Sequence, residues 1–383
     1  MESKKWTSCI FLILFAAFIW GYSLADMLSP GREYSELENR YLAGMPGFTF
    51  RSLLDNTYTL KIEEHTNDRF MLRDAWITVK SISETALLKI ENNNIIYGKD
   101  GFMFEKRLTY DSEQLERNLN SLFFFAEKFP GNNITLMLVP TSDIVLADKV
   151  PRGLHNVEQT SIIEDIHRKA GESEIRSVGL LEPLCNNRYE KIDTDNYKTF
   201  YRTDHHWTTP GAYAAYAAYV QSLGLASAEP FDFPLHTVYD FYGTFYSKAK
   251  LFNAKPDTIR WFDIPVHSVT INGEPKDGLY NHEKWNQRDK YAAFLHDNNG
   301  ITVLDSTGKQ DGENKTRILV FKDSYGNAFA PFLTFNFDEV TVIDLRYFME
   351  VESLMNSGDY DEILFLYGFP SFSNETSIVN LRL

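Results

Sequence analysis

Apolar and polar positions along the chain open on one unbroken apolar run and then settle into alternating helical and extended patterns. Trp6 to Ala25 carries no charge and has about the 20 residues that span a bilayer. From Ser29-Pro30-Gly31 to Gly44-Met45-Pro46-Gly47 the chain is rich in breakers, which predicts an extended linker. A helical period follows from about Asp68 to Glu91, with Leu72, Trp76, Val79, Ile82 and Leu87 near one face, and Asn92-Asn93-Asn94 stops it. Ile95-Ile96-Tyr97 and Phe102-Met103-Phe104, flanking Gly98-Lys99-Asp100-Gly101, predict a β-hairpin.

Alternation then begins. A helix is expected over about Asp111–Lys128, a strand at Ile134–Val139, a helix near Glu158–Lys169 and a short strand around Val178–Leu181. Thr209 reads as an N-cap with Pro210 at the first helical position, opening a helix to about Leu223. Residues 230 to 300 are rich in aromatic and turn residues, with alternating stretches such as Val269-Thr270-Ile271, and read as a β-rich insertion. The alternation returns with a strand at Arg317–Phe321, a turn through Lys322-Asp323-Ser324, a helix to about Leu333, and strands at Val340–Ile343 and Glu362–Leu366. Such a pattern predicts an α/β layered core.

Composition narrows the function. With 53 acidic against 38 basic residues the net charge is −15, and no basic stripe is present, so a nucleic-acid partner is not expected. Cys9 lies in the apolar run, which leaves Cys185 alone and excludes an internal disulfide in the exported part. Neither CxxC nor HExxH occurs. Lys4 and Lys5 before the apolar run predict insertion with that end inside. Ser23-Leu24-Ala25 before Asp26 also fits signal-peptidase cleavage. Anchor or cleaved signal, both place the remainder outside the cytoplasm.

Candidate chemistry gathers at two places. Asp204 and His206 are two residues apart, so extended backbone puts both side chains on one face and His205 on the other. There the carboxylate can accept the imidazole Nδ1–H and leave Nε2 as a general base. Ser324 follows an apolar strand and opens a helix, a setting in which backbone N–H groups can stabilise an oxyanion. The residues alone leave alternatives: Asp204, His205 and His206 as a metal cluster, Asp204 as a helix-entry cap, or Ser324 as an ordinary N-cap. Trp261, Tyr280 and Trp285 read either as sugar-stacking platforms or as core.

Linked motifs add a resemblance. Thr203-Asp204-His205-His206-Trp207-Thr208 with Pro210-Gly211-Ala212-Tyr213, and Lys322-Asp323-Ser324-Tyr325 with Val342-Ile343-Asp344-Leu345-Arg346-Tyr347, resemble the bacterial DHHW protein family. Glu36-Leu37-Glu38-Asn39-Arg40, Val139-Pro140-Thr141 and Phe245-Tyr246-Ser247-Lys248 match it as well. That family is similar to the SGNH hydrolase-like domains of alginate O-acetylation proteins. The resemblance implies a flavodoxin-like three-layer α/β core. It also implies Asp204 as orienting acid, His206 as base and Ser324 as nucleophile, with no metal and no cofactor. His205 falls on a variable position. Phe294-Leu295-His296-Asp297-Asn298-Asn299 resembles a segment expected to carry two glycines before the first asparagine, and Asn298 is the candidate oxyanion-hole amide.

The implied activity is extracytoplasmic O-acetyl transfer to a cell-envelope or secreted polysaccharide, with a multi-spanning membrane acyltransferase as acetyl donor. An esterase with the same triad and a catalytically silent polysaccharide-binding or assembly protein remain alternatives. The expected organisation is an anchor or signal over residues 1–25, a linker and entry segment over 26–67, and the acyl-transfer domain over 68–383 with its insertion at about 230–300.

Overall fold

Ile318 to Phe321 are all buried because the strand that carries them is covered on both faces. In the computed structural model, which describes residues 2–28, 31–186, 199–229, 232–309 and 314–382, this strand lies inside an eight-stranded sheet. Ser29 and Pro30 of the expected linker, and the side chains of Lys4 and Lys5, lie outside the described residues. The sheet order is Glu274–Lys276, Ser268–Ile271, Ile301–Asp305, Glu339–Ile343, Arg317–Lys322, Glu362–Gly368, Asn133–Val139 and Arg176–Ser177. The last five run parallel, and the first three join as an antiparallel ladder at one edge.

Strand periodicity sorts the core into two layers. Ile318, Val320, Val342, Leu364 and Leu366 pack with the helices Thr209–Ser222 and Gly326–Leu333. Leu319, Phe321, Ile343, Ile363 and Phe365 pack with Ser112–Lys128 and Gln159–Glu172 on the opposite face. The result is the expected three-layer α/β arrangement. Ser324 stands just beyond the carboxyl end of an inner parallel strand, where open α/β sheets present their ligands.

Local differences from expectation have local causes. The strand expected near Val178–Leu181 is only Arg176–Ser177, and Leu181–Cys185 is a short helix. Pro183 explains this, since it cannot donate to a ladder but is tolerated in a first helical turn. Thr208, not Thr209, caps the next helix by accepting the Gly211 N–H, which moves Pro210 to the second position. Within residues 230–300, Leu235–Phe241 and Asp257–Phe262 form a separate antiparallel pair, while Ser268–Ile271 and Glu274–Lys276 extend the main sheet.

The chain divides into two compact units, residues 1–89 with 250–252, and 90–249 with 253–383. In the first unit the helix Glu2–Leu28 contains Trp6–Asp26, a stretch that is long and apolar enough to cross a membrane. The single helix expected from Asp68 to Glu91 is instead two, Thr57–Arg69 and Arg73–Ala86, broken where Leu72 adopts φ 59°. Ion pairs clamp the break. Asp68 accepts Arg40 at 2.7 Å and the Ala43 N–H at 2.8 Å, while Arg73 reaches Glu38 at 2.6 Å. Lys250 also pairs with Glu38, so the Glu36–Arg40 motif supplies Glu38 and Arg40 to a charge cluster with the buried Asp68 and Arg73. The Arg40 hydrogen bond holds the Asp68 carboxyl down at about 2, against the opposing effect of burial.

Candidate functional site

Phe200 and Trp207 form an isolated antiparallel bridge that closes the base of the loop carrying Asp204, His205 and His206. The Thr208 N–H donates to the Thr199 carbonyl at 2.8 Å and that of Tyr201 to His206 at 3.3 Å. The fully buried Trp207 pins this loop to the helix after Ser324, donating its Nε1–H to the Tyr325 carbonyl at 3.1 Å. From below, buried Asp257 accepts the N–H groups of Arg202 and Thr203 at 2.9 and 2.8 Å, and the Thr203 hydroxyl at 2.6 Å.

The loop brings together the three side chains singled out from the sequence. His206 Nδ1 lies 2.5 Å from Asp204 Oδ1, and His206 Nε2 lies 2.7 Å from Ser324 Oγ. The backbone is not extended there but bent, and the same Asp204 oxygen also accepts the N–H of His206 itself at 2.9 Å. Asp204 Oδ2 takes the Thr244 N–H at 2.7 Å. Burial alone would raise the Asp204 carboxyl, but the imidazoles of His206 and His205 and its hydrogen bonds hold it far below the usual range. An ionised carboxylate can only accept, so Nδ1 of His206 carries the proton and Nε2 is left to accept from Ser324.

His205 departs from the expected opposite face. Its ring centroid lies 3.8 Å from that of His206, and its Nδ1 is 2.7 Å from the Thr244 hydroxyl. Burial, reinforced by His206, depresses its basicity and keeps it neutral. His205 lines a cleft of about 250 Å³ with Thr244, Phe245, Tyr325, Arg107 and Lys248.

One ligand atom from each of Asp204, His205 and His206 lies within 4.8 Å of the others, the spacing of a possible metal cluster. Both ring nitrogens of His206 are already engaged, by Asp204 and by Ser324. A cation held there would have to take a His206 nitrogen from one of them, so the donor set fits a proton relay better than a metal centre.

Asn298 does not join the three. Its Oδ1 accepts Lys322 Nζ at 2.8 Å and Asn327 Nδ2 at 3.3 Å, and its own Nδ2 donates to Asp297 at 3.1 Å. Lys322 is buried beside Asp344, and burial lowers its ammonium to about 8. Leu295, His296 and Asp297 have φ of 49°, 55° and 76°, so the two positions where glycine is expected do adopt the left-handed backbone that favours it. Trp261, Tyr280 and Trp285 are buried and in mutual ring contact, which assigns them to the core.

Several partners of the site had no sequence signal. Tyr291 stacks flat on His206, centroids 3.8 Å apart at 7°, and its hydroxyl reaches the Ser324 carbonyl at 3.4 Å. Tyr325, the last residue of the Lys322–Tyr325 motif but given no role there, donates to the His205 carbonyl at 2.5 Å. Thr244 adjoins the matched Phe245–Lys248 segment; Tyr291 and Asp257 had no such hint.

Asp257 carries a stability prediction. Burial outweighs its three hydrogen bonds and raises its carboxyl to about 6. The folded state therefore binds this proton more tightly than the unfolded chain, whose carboxyl titrates near 4. The stability it contributes is present below about pH 4 and is lost as pH rises through 6, by about 3 kcal/mol. Urea unfolding of wild type and Asp257→Asn across this window should show the difference between the two proteins changing by that order. A pH-independent difference would remove Asp257 from the buried position described.

Residues 128–343, more than half of the chain, match the model of the DHHW protein family. Among solved structures, a DHHW family protein from Eubacterium siraeum superposes with a TM-score of 0.62 at 23% identity, covering 76% of this chain and 96% of that one. Bacillus cereus PatB1 with a sulfonyl adduct gives 0.60 at 19% identity, covering 76% and 98%. The O-acetyltransferase domain of Pseudomonas putida AlgJ gives 0.45 at 13% identity, covering 76% and 98%, and the shared fold rests on the first two. A search of curated proteins finds no match. With its Asp-His-His-Trp loop at residues 204–207 and the family match over 128–343, this chain belongs to the DHHW protein family.

Proposed function

We propose that this protein is an extracytoplasmic, serine-dependent O-acyltransferase that moves acetyl groups onto hydroxyls of a cell-envelope or secreted polysaccharide. The observation that carries this reading is the unbroken relay from Asp204 through His206 to Ser324, at 2.5 and 2.7 Å. Ser324 Oγ attacks the acyl carbonyl carbon while His206 Nε2 takes its proton. The tetrahedral oxyanion then collapses to acyl-Ser324, and His206 returns the proton to the leaving group. In the second half an acceptor hydroxyl attacks the acyl carbon, its proton passes to His206, and Ser324 Oγ leaves and regains it. Atoms and charge balance without an added oxidant or reductant.

Donors for the oxyanion are at hand. Among the described residues the Ser324 N–H has no acceptor, as an amide reserved for a developing charge requires. Asn298 is the second proposed donor. Lys322 can only donate, so it fixes Oδ1, and of the two N–H groups on Nδ2 one goes to Asp297 and the other is the proposed donor. Trp6–Asp26 is the proposed anchor, with Lys4 and Lys5 inside, and a multi-spanning membrane acyltransferase the proposed source of acetyl groups. The sequence resemblance to alginate O-acetylation domains favours transfer; water as acceptor would make the same site an esterase.

The PatB1 relative holds a sulfonyl adduct, which suggests the test. The purified full chain is treated with a sulfonyl fluoride and, separately, with p-nitrophenyl acetate, and the modified peptide is read by mass spectrometry. Modification at Ser324, lost in Ser324→Ala, supports the reading, and acetyl transfer to an added oligosaccharide ahead of hydrolysis supports transferase over esterase. Ester turnover that persists in Ser324→Ala, or an adduct only at another residue, sinks it.

A further inference from the structure

The helix Arg73–Ala86 is turned inside out. Its polar residues Arg73 and Ser81 are buried, whereas Leu72, Trp76, Val79 and Ile82 are 64, 48, 52 and 46% exposed. These four lie on one face at helical spacing, and Leu87, 81% exposed, continues it. Facing water, such a stripe forfeits the burial free energy that folds soluble helices the other way round. An apolar face turned outward suits a helix lying in a lipid interface.

The occupant of this face follows from what the helix is tied to. Tyr22, near the end of the apolar stretch Trp6–Asp26, accepts the Trp76 indole N–H at 3.1 Å and donates to the Met71 carbonyl. Asp26, the last residue of that stretch, accepts the Met71 N–H. The start of the inverted helix is thereby held at the end of the proposed span, where a bilayer's interfacial zone begins. Trp76 and Tyr22 are the residue types that favour that zone. We infer that Arg73–Ala86 lies on the outer surface of the bilayer, with Leu72, Trp76, Val79 and Ile82 dipped among the lipid headgroups. This inference rests on the proposed membrane anchor. Both ties use residues on the two sides of the Ala25–Asp26 bond, so the docked arrangement requires that bond intact.

The test uses the full chain in vesicles of phosphatidylcholine and phosphatidylglycerol, with Cys9 and Cys185 replaced by serine. Single cysteines at Val79 and Ile82 carry spin labels, with Leu12 as the reference inside the span and Glu113, 83% exposed at its side chain, as the reference in water. Collisions with oxygen, which partitions into lipid, are compared with collisions with a water-soluble nickel chelate. The ratio of oxygen to nickel collisions at Val79 and Ile82 should exceed that at Glu113 several-fold and approach that at Leu12. A ratio equal to that at Glu113, while Leu12 stays lipid-like, overturns the docking and spares the anchor. Should Leu12 also behave as water-exposed, anchor and docking fail together. Exclusion of both reagents from Val79 and Ile82 means a protein partner covers the face, and overturns the lipid assignment.

Discussion

Replacing Ser324 by alanine lowers acyl turnover by roughly 10³-fold or more, and adding His206→Ala to that variant costs almost nothing further. The expectation follows from the relay itself: His206 Nε2 first takes the proton of Ser324 Oγ, 2.7 Å away, and every later proton it handles depends on the acyl-serine formed in that step. Once the hydroxyl is gone the base has no task, so the two losses do not multiply. Asp204→Asn belongs to the same unit and should cost about 10³- to 10⁴-fold, because the amide no longer enforces Nδ1–H on His206. His205→Ala should be far milder, since its ring stacks beside His206 but hydrogen-bonds Thr244 and, among the described residues, none of Asp204, His206 and Ser324. Steady-state ester turnover of the four variants and the double variant is sufficient. Losses that multiply in the double variant, or a His205→Ala defect equal to that of His206→Ala, would falsify the serine relay.

A methyl group at Gly243 is expected to damage both stability and catalysis, although no charge or hydrogen-bonding group is removed. A Cβ built there stands 2.2 Å from both Cβ and Oδ2 of Asp204. Neither side can yield easily: the Gly243 N–H is bound to the Thr203 hydroxyl at 3.1 Å, and the next N–H, of Thr244, to Asp204 itself at 2.7 Å. Gly243→Ala should therefore destabilise the fold by about 1–3 kcal/mol. Displacing Asp204 by a fraction of an ångström should lower turnover by about 10²-fold per folded molecule. Gly171→Ala is the control, because nothing stands within 4 Å of a Cβ in that helix and alanine is the better helix former. Denaturation curves and turnover of both variants decide the matter; a Gly243→Ala protein with wild-type values means the loop around Asp204 is looser than described.

The layered core was legible because buried parallel strands leave plain apolar runs, as at Ile318–Phe321, and because breakers separate them from periodic helices. The Asp204–His206 pair was legible for a reason that proved incomplete. Spacing of two put both groups together, but through a bend in which Asp204 also takes the His206 N–H, so His205 stacks beside His206 instead of projecting from the opposite face. Tyr291, Gly243 and Asp257 escaped notice because each acts across a long stretch of chain, and no local pattern marks a ring that will lie flat on an imidazole. Periodicity also found the Leu72–Leu87 stripe without revealing its direction. A hydrophobic pattern says that a face avoids water, not whether protein or something else receives it.

The separation of the relay's parts along the chain has a consequence for when the protein becomes reactive. His206 and Ser324 are 118 residues apart, and Asp323, beside the nucleophile, is itself held by the Gly368 N–H a further 45 residues on. A growing chain emerges amino end first, so Asp204 and His206 are made long before the strand that carries Ser324, and the strand that secures Asp323 later still. If Ser324 is the nucleophile as proposed, its hydroxyl stays an ordinary, unactivated serine until the Glu362–Gly368 strand has paired with its neighbours on both sides. Under the proposed mechanism, completion of the fold is what switches reactivity on, and a nascent or truncated chain is spared premature acylation.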